Sequence, residues 1–169
     1  MIQIKTERLT LRQLDFSDAE FIVELLNEPS FIQNIGDRGV RTISDAEKYL
    51  ENGPITSYAK NGFGLLAVTL SETGEPMGMC GLIKRDALED VDVGYAFLPR
   101  FWSKGYALES VQGVMKHAKE VVGLKRVVAI VDPANAGSIR VLERIGMTFE
   151  KMVKLSADDI DLKLFTMNL

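Results

Sequence analysis

The segment Val93–Ala107 combines features that could hold a phosphate group. An apolar stretch typical of a strand runs through a tight turn into a helical pattern. The backbone N–H groups from Ser103 to Ala107 would lie in the first helical turn, where they have no intrahelical acceptor. With the positive end of the helix dipole such groups bind anions, and Gly105 allows a close approach of the backbone. The same junction also occurs as a capped turn without a ligand, so both interpretations stay open here.

Two helices are predicted upstream of this segment, after a short strand over residues 9–14 with apolar alternation. Capping-box spacings predict where the helices start, at Ser17–Glu20 and at Ser44–Glu47. Proline and glycine predict where they end, at Pro29 and near Gly53–Pro54. A polar, glycine-containing loop over residues 34–42 connects them.

The remaining chain alternates between strand and helix patterns. Strands are predicted over 64–70, 77–84, 91–97, 126–131, about 149–155 and about 160–167. Helices are predicted from Gly105 to Gly123 and over 135–145, ended by Gly146. Strand, helix, strand, helix predicts one parallel pair inside an otherwise antiparallel sheet. No linker or repeat interrupts the pattern, so we expect one α+β domain over residues 1–169.

Composition excludes several classes of protein. The chain has 169 residues, 46% of them hydrophobic, and one cysteine, Cys80, which argues against a disulfide scaffold or a cysteine-rich metal site. We expect no metal. Its net charge of -4 argues against general nucleic-acid binding, which requires concentrated lysine and arginine. The start lacks the apolar run of a signal peptide, and no stretch approaches the roughly 20 apolar residues of a membrane span, so a cytoplasmic location is expected.

Three ordered blocks of the sequence resemble the GNAT superfamily of N-acetyltransferases. Trp102–Ala107 matches the glycine and the small final residue of its pyrophosphate motif, although Trp102 replaces the usual Gln or Arg. This form of the motif looks like the RimJ/RimL-type branch, which acetylates ribosomal proteins. Thr6–Arg12 resembles the opening strand of that branch, and Asn135–Ser138 followed by Val141–Met147 resembles its second block. Together the blocks span nearly the whole chain.

The resemblance implies the GNAT fold with acetyl-CoA as cofactor. That fold is a mixed, mostly antiparallel central sheet with splayed parallel strands 4 and 5 and helices on both faces. The strand ending at Phe97 and Leu98 would splay from the strand at 126–131, and the pantetheine arm would pair with backbone groups in the gap. The cofactor-binding residues implied are Phe97, Leu98, Ser103, Lys104, Gly105, Tyr106, Ala107, Asn135 and Ser138.

Family resemblance also supplies candidates for catalysis. It places the Ser138 hydroxyl beside the cofactor sulfur, as a proton or hydrogen-bond donor to the leaving thiolate, although the residue could equally cap its helix. Glu109 or Asp92 could relay the proton of the amine, but Glu109 is also favoured at a helix start by the dipole, and Asp92 could be a solvated strand residue. The N–H of Leu98 could polarise the thioester carbonyl.

The acceptor is expected to be a primary amine that meets the loop at 32–42 and the N-terminal helices. Resemblance favours a peptide or protein N-terminus, such as that of a ribosomal protein, over a polyamine, amino acid or aminoglycoside. A non-catalytic acyl-CoA-binding sensor module is the alternative from another class. Family members are often dimers, so a homodimer is expected by analogy only.

Several other residues receive no catalytic role at this point. His117 misses the apolar stripe of its helix and is expected to be exposed, and Cys80 lies in an apolar strand and is expected to be a buried structural thiol. Phe101 and Trp102 are expected to pack the turn. Lys104, and less so Arg100, could approach the phosphates as point charges.

Overall fold

A sheet of eight strands runs through the whole molecule, and the computed structural model describes residues 1–169. The strands are β1 Gln3–Lys5, β2 Leu9–Gln13, β3 Leu65–Leu70, β4 Pro76–Ile83, β5 Asp92–Phe97, β6 Arg126–Val131, β7 Thr148–Val153 and β8 Leu162–Asn168. Their order across the sheet is β1-β2-β3-β4-β5-β6-β8-β7. All neighbours are antiparallel except β5 and β6.

The parallel pair β5 and β6 is joined only at one end. Its single register position pairs Asp92 with Val128, and the N–H of Val128 donates to the carbonyl oxygen of Val91 at 3.0 Å. No pairing follows toward Phe97 and Val131, so the strands diverge and leave a gap. The predicted splay is confirmed. The diverging strands are numbered β5 and β6 here rather than 4 and 5, because the sequence did not predict β1, which is only three residues long and shows no recognisable alternation.

Helices cover both faces of the sheet, as predicted. They are α1 Ala19–Leu26, α2 Pro29–Asn34, α3 Ile43–Leu50, α4 Thr56–Asn61, α5 Tyr106–His117 and α6 Ala136–Ile145. One core cluster joins α1, α2 and α3 to one face through Ala67, Met79 and Leu98. The other joins α5 and α6 to the opposite face through residues such as Val111 and Leu142. The sheet is therefore the middle layer of three, and the gap opens between the two helical layers.

The starts of the first helices differ from the prediction by two residues. Asp15, not Ser17, forms the capping box with Asp18, and a 3₁₀ turn over residues 16–18 precedes α1. Thr42, not Ser44, caps α3 in a capping box with Asp45. In both places a competing acceptor lies two residues upstream, and sequence spacing does not distinguish them.

Two prolines do not end helices where the sequence predicted. Pro29 opens α2, since its fixed φ and missing N–H suit a first helical position. Pro54 lies inside a π-helical turn, Glu51–Ile55, that continues α3 directly into α4. The Thr56 hydroxyl donates to the Glu51 carbonyl oxygen at 2.5 Å, which helps to satisfy the ladder around the proline. The expected break comes later, at Gly62 with φ of 76°.

The elements around the predicted phosphate site agree with the sequence. α5 begins after Gly105, continues through a π-helical turn over residues 118–122 and ends at Gly123. α6 begins after Asn135 and ends at Gly146. None of the helices is long and apolar enough to cross a membrane.

Candidate active site

The backbone of β5 presents one set of polar groups to the gap. The N–H of Leu98 donates to the Met77 carbonyl oxygen of β4 at 2.9 Å, while Phe97 lies opposite Gly78. Successive residues of an antiparallel strand direct their N–H and C=O groups to opposite sides. Those of Phe97 and Tyr95 therefore face away from β4, toward the gap. The carbonyl of Phe97 accepts from the Trp102 indole N–H at 2.9 Å, which leaves its N–H for a ligand.

This register corrects the assignment of Leu98. Its N–H was expected to polarise a thioester carbonyl, but it already donates to Met77, and the Leu98 carbonyl oxygen accepts from Phe101 at 3.0 Å. The Leu98 side chain is fully buried between the sheet and the N-terminal helices. Leu98 anchors the end of β5, and the backbone groups open to the gap belong to its neighbours.

An anion cradle lies at the start of α5. The N–H groups of the residues from Ser103 to Leu108 donate to no acceptor in the protein, one residue further than predicted. Ser103 and Gly105 have positive φ angles, 62° and 82°, so that the turn curls around these free N–H groups. Six unpaired N–H groups at a helix start suit a pyrophosphate in number and in charge.

A polar clamp holds the cradle against the N-terminus of the chain. Glu109 accepts hydrogen bonds from the Thr6 hydroxyl at 2.5 Å, the Arg8 N–H at 2.9 Å and Arg8 Nε at 2.7 Å. The Arg8 guanidinium also donates to the Lys104 carbonyl oxygen at 3.0 Å and lies 4.5 Å from the centre of the Tyr106 ring. The turn before β2 and the first turn of α5 are thereby fixed to each other.

The clamp argues against the catalytic role expected for Glu109. Burial acts to raise the pKa of Glu109, but the hydrogen bonds from Thr6 and Arg8 outweigh it, so that the pKa is lowered. A carboxylate with a lowered pKa and occupied oxygens is a poor base for an amine. Its position supports the cradle structurally instead.

The charged groups beside the turn divide between two roles. Arg100 pairs with Glu24 of α1 at 2.8 Å, so it ties the turn to the opposite helical layer and is not directed at the cradle. The Lys104 side chain has no partner in the protein, and its residue is exposed at the cradle. Phe101 packs edge-on against Tyr106 at 6.5 Å, in line with the packing role predicted for it.

The start of α6 brings Asn135 and Ser138 to the other side of the gap. Asn135 is the capping residue, since its Oδ1 accepts from the Ser138 N–H at 3.2 Å. The Ser138 hydroxyl is consequently not a cap. It lies 2.5 Å from the hydroxyl of Tyr95 on β5.

Tyr95 is a site residue that the sequence reasoning missed. Burial raises the pKa of Tyr95 to about 12. The signal available was strand periodicity: residues 93, 95 and 97 share one side of β5, so a tyrosine in the middle of that row must face α5 and α6. Its partner Ser138 lies 43 positions away, and no local pattern links the two.

Asp92 lies at the closed end of the gap, on the opposite face of the sheet from Tyr95. The carboxylate is 1% exposed and sits 3.2 and 3.4 Å from Arg85 Nε, so it is not the solvated residue that the sequence allowed. Burial raises the pKa of Asp92 to about 6, against the opposing effect of Arg85. A carboxylate with this pKa is ionised at neutral pH and can accept a proton.

The loop predicted to meet the acceptor joins α2 to α3, on the same side of the sheet as Asp92. Asn27 at the end of α1 donates to the Val40 carbonyl oxygen at 2.7 Å and accepts from Arg41 at 2.8 Å. Arg41 also pairs with Asp37 at 2.7 Å. The loop is thus tethered to α1 through polar contacts.

The remaining candidates stay outside the site. Cys80 is completely buried, and burial raises the pKa of its thiol far above the ordinary range, in keeping with a structural thiol. His117 is half-buried rather than exposed, since it packs near Ile2 and Ile4, and this burial lowers its pKa. Neither residue reaches the cradle or the gap.

Comparison with known proteins identifies the class of protein. Residues 8–148 match the model of the acetyltransferase (GNAT) domain, so the chain belongs to the GNAT acetyltransferase family, whose members use acetyl-CoA. It is 27% identical to an uncharacterised N-acetyltransferase, YnaD of Bacillus subtilis (strain 168), over 90% of this chain and 86% of that protein. The chain is accordingly an acyltransferase, as its sequence predicted.

Solved structures agree with this fold. An acetyltransferase from Agrobacterium tumefaciens str. C58 superposes with a TM-score of 0.84 at 25% identity, over 99% of this chain and 94% of that one. RimL, a ribosomal L7/L12 alpha-N-protein acetyltransferase solved in complex with coenzyme A, superposes with a TM-score of 0.86 at 19% identity, over 99% and 98%. The predicted GNAT fold is confirmed.

Proposed function

We propose that this chain is an acetyl-CoA-dependent N-acetyltransferase of the RimJ/RimL type that acetylates the N-terminal amine of a peptide or protein. The observation that carries the proposal is the row of unpaired N–H groups from Ser103 to Leu108 beside an open gap in the sheet. Free donors at a helix start suit an anion, and splayed strand edges suit an amide-like partner. Acetyl-CoA carries both, a pyrophosphate and a pantetheine arm.

The residues present fit the pyrophosphate and the pantetheine arm of this molecule. The cradle with Ser103, Lys104, Gly105, Tyr106 and Ala107 would hold the pyrophosphate, with the exposed Lys104 ammonium as a further positive charge. The free N–H of Phe97 and the backbone of Tyr95 would pair with the pantetheine amides. On the other side of the gap, the Asn135 amide nitrogen has no partner in the protein and can donate to the same arm.

Asp92 is the group that we assign to proton acceptance. It lies at the closed end of the gap, on the face covered by α1, α2 and α3, where an acceptor would approach. An N-terminal amine has a pKa of about 8, so a fraction of it is neutral at physiological pH, whereas a lysine amine with a pKa of about 10.4 is almost entirely charged. The pKa of Asp92, about 6, is closer to that of the N-terminal amine than to that of the lysine amine, so Asp92 suits the N-terminal amine better as a proton acceptor.

Two facts support a protein N-terminus as acceptor over a small amine. RimL, which shares the fold, is named for acetylation of the α-amine of a ribosomal protein. Asp92 provides a single buried carboxylate beside the gap, which suits one amine rather than several. A ribosomal-protein acceptor would also place the enzyme in the cytoplasm.

The proposal is tested by thiol release from acetyl-CoA with a panel of acceptors. The panel contains short peptides with free N-termini, the same peptides with blocked N-termini, polyamines, amino acids and aminoglycosides. We expect turnover with free N-termini alone, and its loss in Gly105→Glu, which places a carboxylate in the cradle. Turnover confined to polyamines or aminoglycosides would replace the acceptor assignment. Binding of acetyl-CoA without turnover on any amine would favour the sensor module.

A further inference from the structure

Tyr95 is the side chain that contacts the Ser138 hydroxyl. The two hydroxyl oxygens are 2.5 Å apart, and the Tyr95 hydroxyl also lies 3.3 Å from the Ser138 carbonyl oxygen. The Ser138 N–H is occupied by Asn135, and no other side chain bonds to the Ser138 hydroxyl. Of all side chains, Tyr95 alone is placed to orient this hydroxyl.

This contact crosses the open part of the gap. Tyr95 lies on β5, three residues beyond the only point where β5 and β6 pair, and Ser138 lies in the first turn of the helix that follows β6. The contact is therefore made where the proposed pantetheine arm would pass. A donor at this place meets the reacting end of that arm and not the phosphates, which belong to the cradle at α5.

The surroundings of Tyr95 keep its proton in place. Burial raises the pKa of Tyr95 to about 12, with Ser138 as the opposing hydrogen-bond partner. The only other titratable group that acts on it is the Cys80 thiol, directly opposite on β4, whose own pKa is raised by complete burial. A thiol has a pKa of about 8.5, so it is a much stronger acid than this phenol. Transfer of the Tyr95 proton to a thiolate is uphill.

We propose that Tyr95 is a positioning residue for acetyl transfer: it donates to Ser138 Oγ and so turns the Ser138 hydroxyl hydrogen toward the sulfur of coenzyme A. The inference rests on the proposed function. When the bond between carbon and sulfur breaks, its electron pair goes to sulfur, and the two hydroxyl groups stabilise that charge by hydrogen bonds without losing their protons. The proton that yields the free thiol comes from the acceptor nitrogen, by way of Asp92 and solvent.

A purely structural role for Tyr95 makes a different prediction. A buried hydroxyl needs a partner, and the Ser138 carbonyl oxygen alone would provide one. In that case, loss of the Tyr95 hydroxyl would change the stability of the protein but would leave the pKa of the bound coenzyme A thiol unchanged. The pKa of the coenzyme A thiol in the complex separates the two roles, and its measurement needs no acceptor.

The experiment titrates the thiol of coenzyme A bound to the whole protein by its ultraviolet thiolate absorbance, with the desulfo-coenzyme A complex subtracted. The buried Cys80 thiol does not titrate in the same range. In the wild type we expect a bound thiol pKa below that of free coenzyme A. Tyr95→Phe, which keeps the ring, should raise it by about one unit, a tenfold change in the ionisation constant. Tyr49→Phe is the control for loss of a tyrosine hydroxyl elsewhere.

The coupling between the two residues is tested by the same titration. Ser138→Ala should raise the bound thiol pKa at least as much as Tyr95→Phe, and the double variant should add nothing further, because Tyr95 acts through Ser138. Once an acceptor is known, Tyr95→Phe should lower kcat about tenfold and leave the KM for acetyl-CoA unchanged.

The outcomes distinguish this inference from the function on which it rests. A bound thiol pKa unchanged in Tyr95→Phe, or changed additively with Ser138→Ala, would overturn the positioning role while coenzyme A binding stands. A wild-type protein that does not bind coenzyme A would overturn both.

Discussion

Glu109→Gln separates a supporting role for this residue from a catalytic one. The substitution keeps the length and shape of the side chain and removes its charge. Glutamine can still accept hydrogen bonds through one oxygen, but the charged pair with Arg8 Nε at 2.7 Å is lost. We expect a less stable protein with a loosened cradle and a weaker affinity for coenzyme A.

The magnitude follows from the exposure of the two partners. A hydrogen bond to a charged group contributes about 1.5–3 kcal/mol. The Arg8 side chain is 43% exposed and that of Glu109 16%, so solvent screening reduces the contribution of their pair. We therefore expect a loss of roughly 1–2 kcal/mol in the free energy of unfolding, equivalent to a fall in Tm of about 2–8 °C.

The stability lost in Glu109→Gln should depend on pH. The pKa of Glu109 is lower in the folded protein than its ordinary value of about 4.3, so the stabilisation is present above that pH. It disappears as the pH falls through the folded-state pKa. Denaturant unfolding of both proteins between pH 3 and 7 should therefore give free energies that differ at neutral pH and converge in acid.

The exposed Glu120, which lies in the π-helical turn that continues α5 and has no salt-bridge partner, provides the control Glu120→Gln. It should leave both stability and coenzyme A affinity unchanged. The reasoning is refuted if Glu109→Gln abolishes kcat while stability and coenzyme A affinity match the wild type, since Glu109 would then be the base.

Two further substitutions test the cradle and the base. Gly105→Ala and Gly123→Ala both place a side chain at a φ of 82° and should each lose about 1–2 kcal/mol of stability. Only Gly105→Ala, whose Cβ would lie 3.3 Å from Arg8 Nη2, should also weaken coenzyme A binding in calorimetry; equal affinities would contradict the cradle. Asp92→Asn should abolish the rise of kcat around pH 6, whereas Asp90→Asn, at a half-buried residue paired with Arg126, should keep it. Because the folded-state pKa of Asp92 is raised, its contribution to the free energy of unfolding should fall as the pH rises from about 4 to 6, so the difference in that free energy between the wild type and Asp92→Asn should change over this range. An unchanged rate profile would exclude Asp92 as the base.

Local patterns in the sequence were sufficient to predict the helix start that forms the cradle. Gly105 and the apolar period after it define where α5 begins, and unpaired N–H groups follow from any helix start. Gly123 and Gly146 likewise mark helix ends with positive φ. These features depend on a few neighbouring residues, which is why they needed no tertiary information.

Contacts between residues far apart in the chain could not be predicted from the sequence. The partners of Glu109, at Thr6 and Arg8, lie about a hundred positions away, so a favourable place at the helix dipole looked the same as a catalytic one. The β5 residues whose N–H and C=O groups face the gap are those that do not bond to β4. A register shift of one residue would exchange the two sets. For this reason the N–H of Leu98 was assigned to the wrong side.

The central claim is that the N–H groups from Ser103 to Leu108 bind the pyrophosphate of acetyl-CoA. Its most direct test is amide NMR of the labelled protein during titration with coenzyme A. We expect the amide resonances of these residues to shift most, together with that of Phe97, and the shifts to vanish in Gly105→Glu. Saturable binding that leaves these amides unmoved, or no binding at all, would contradict the account.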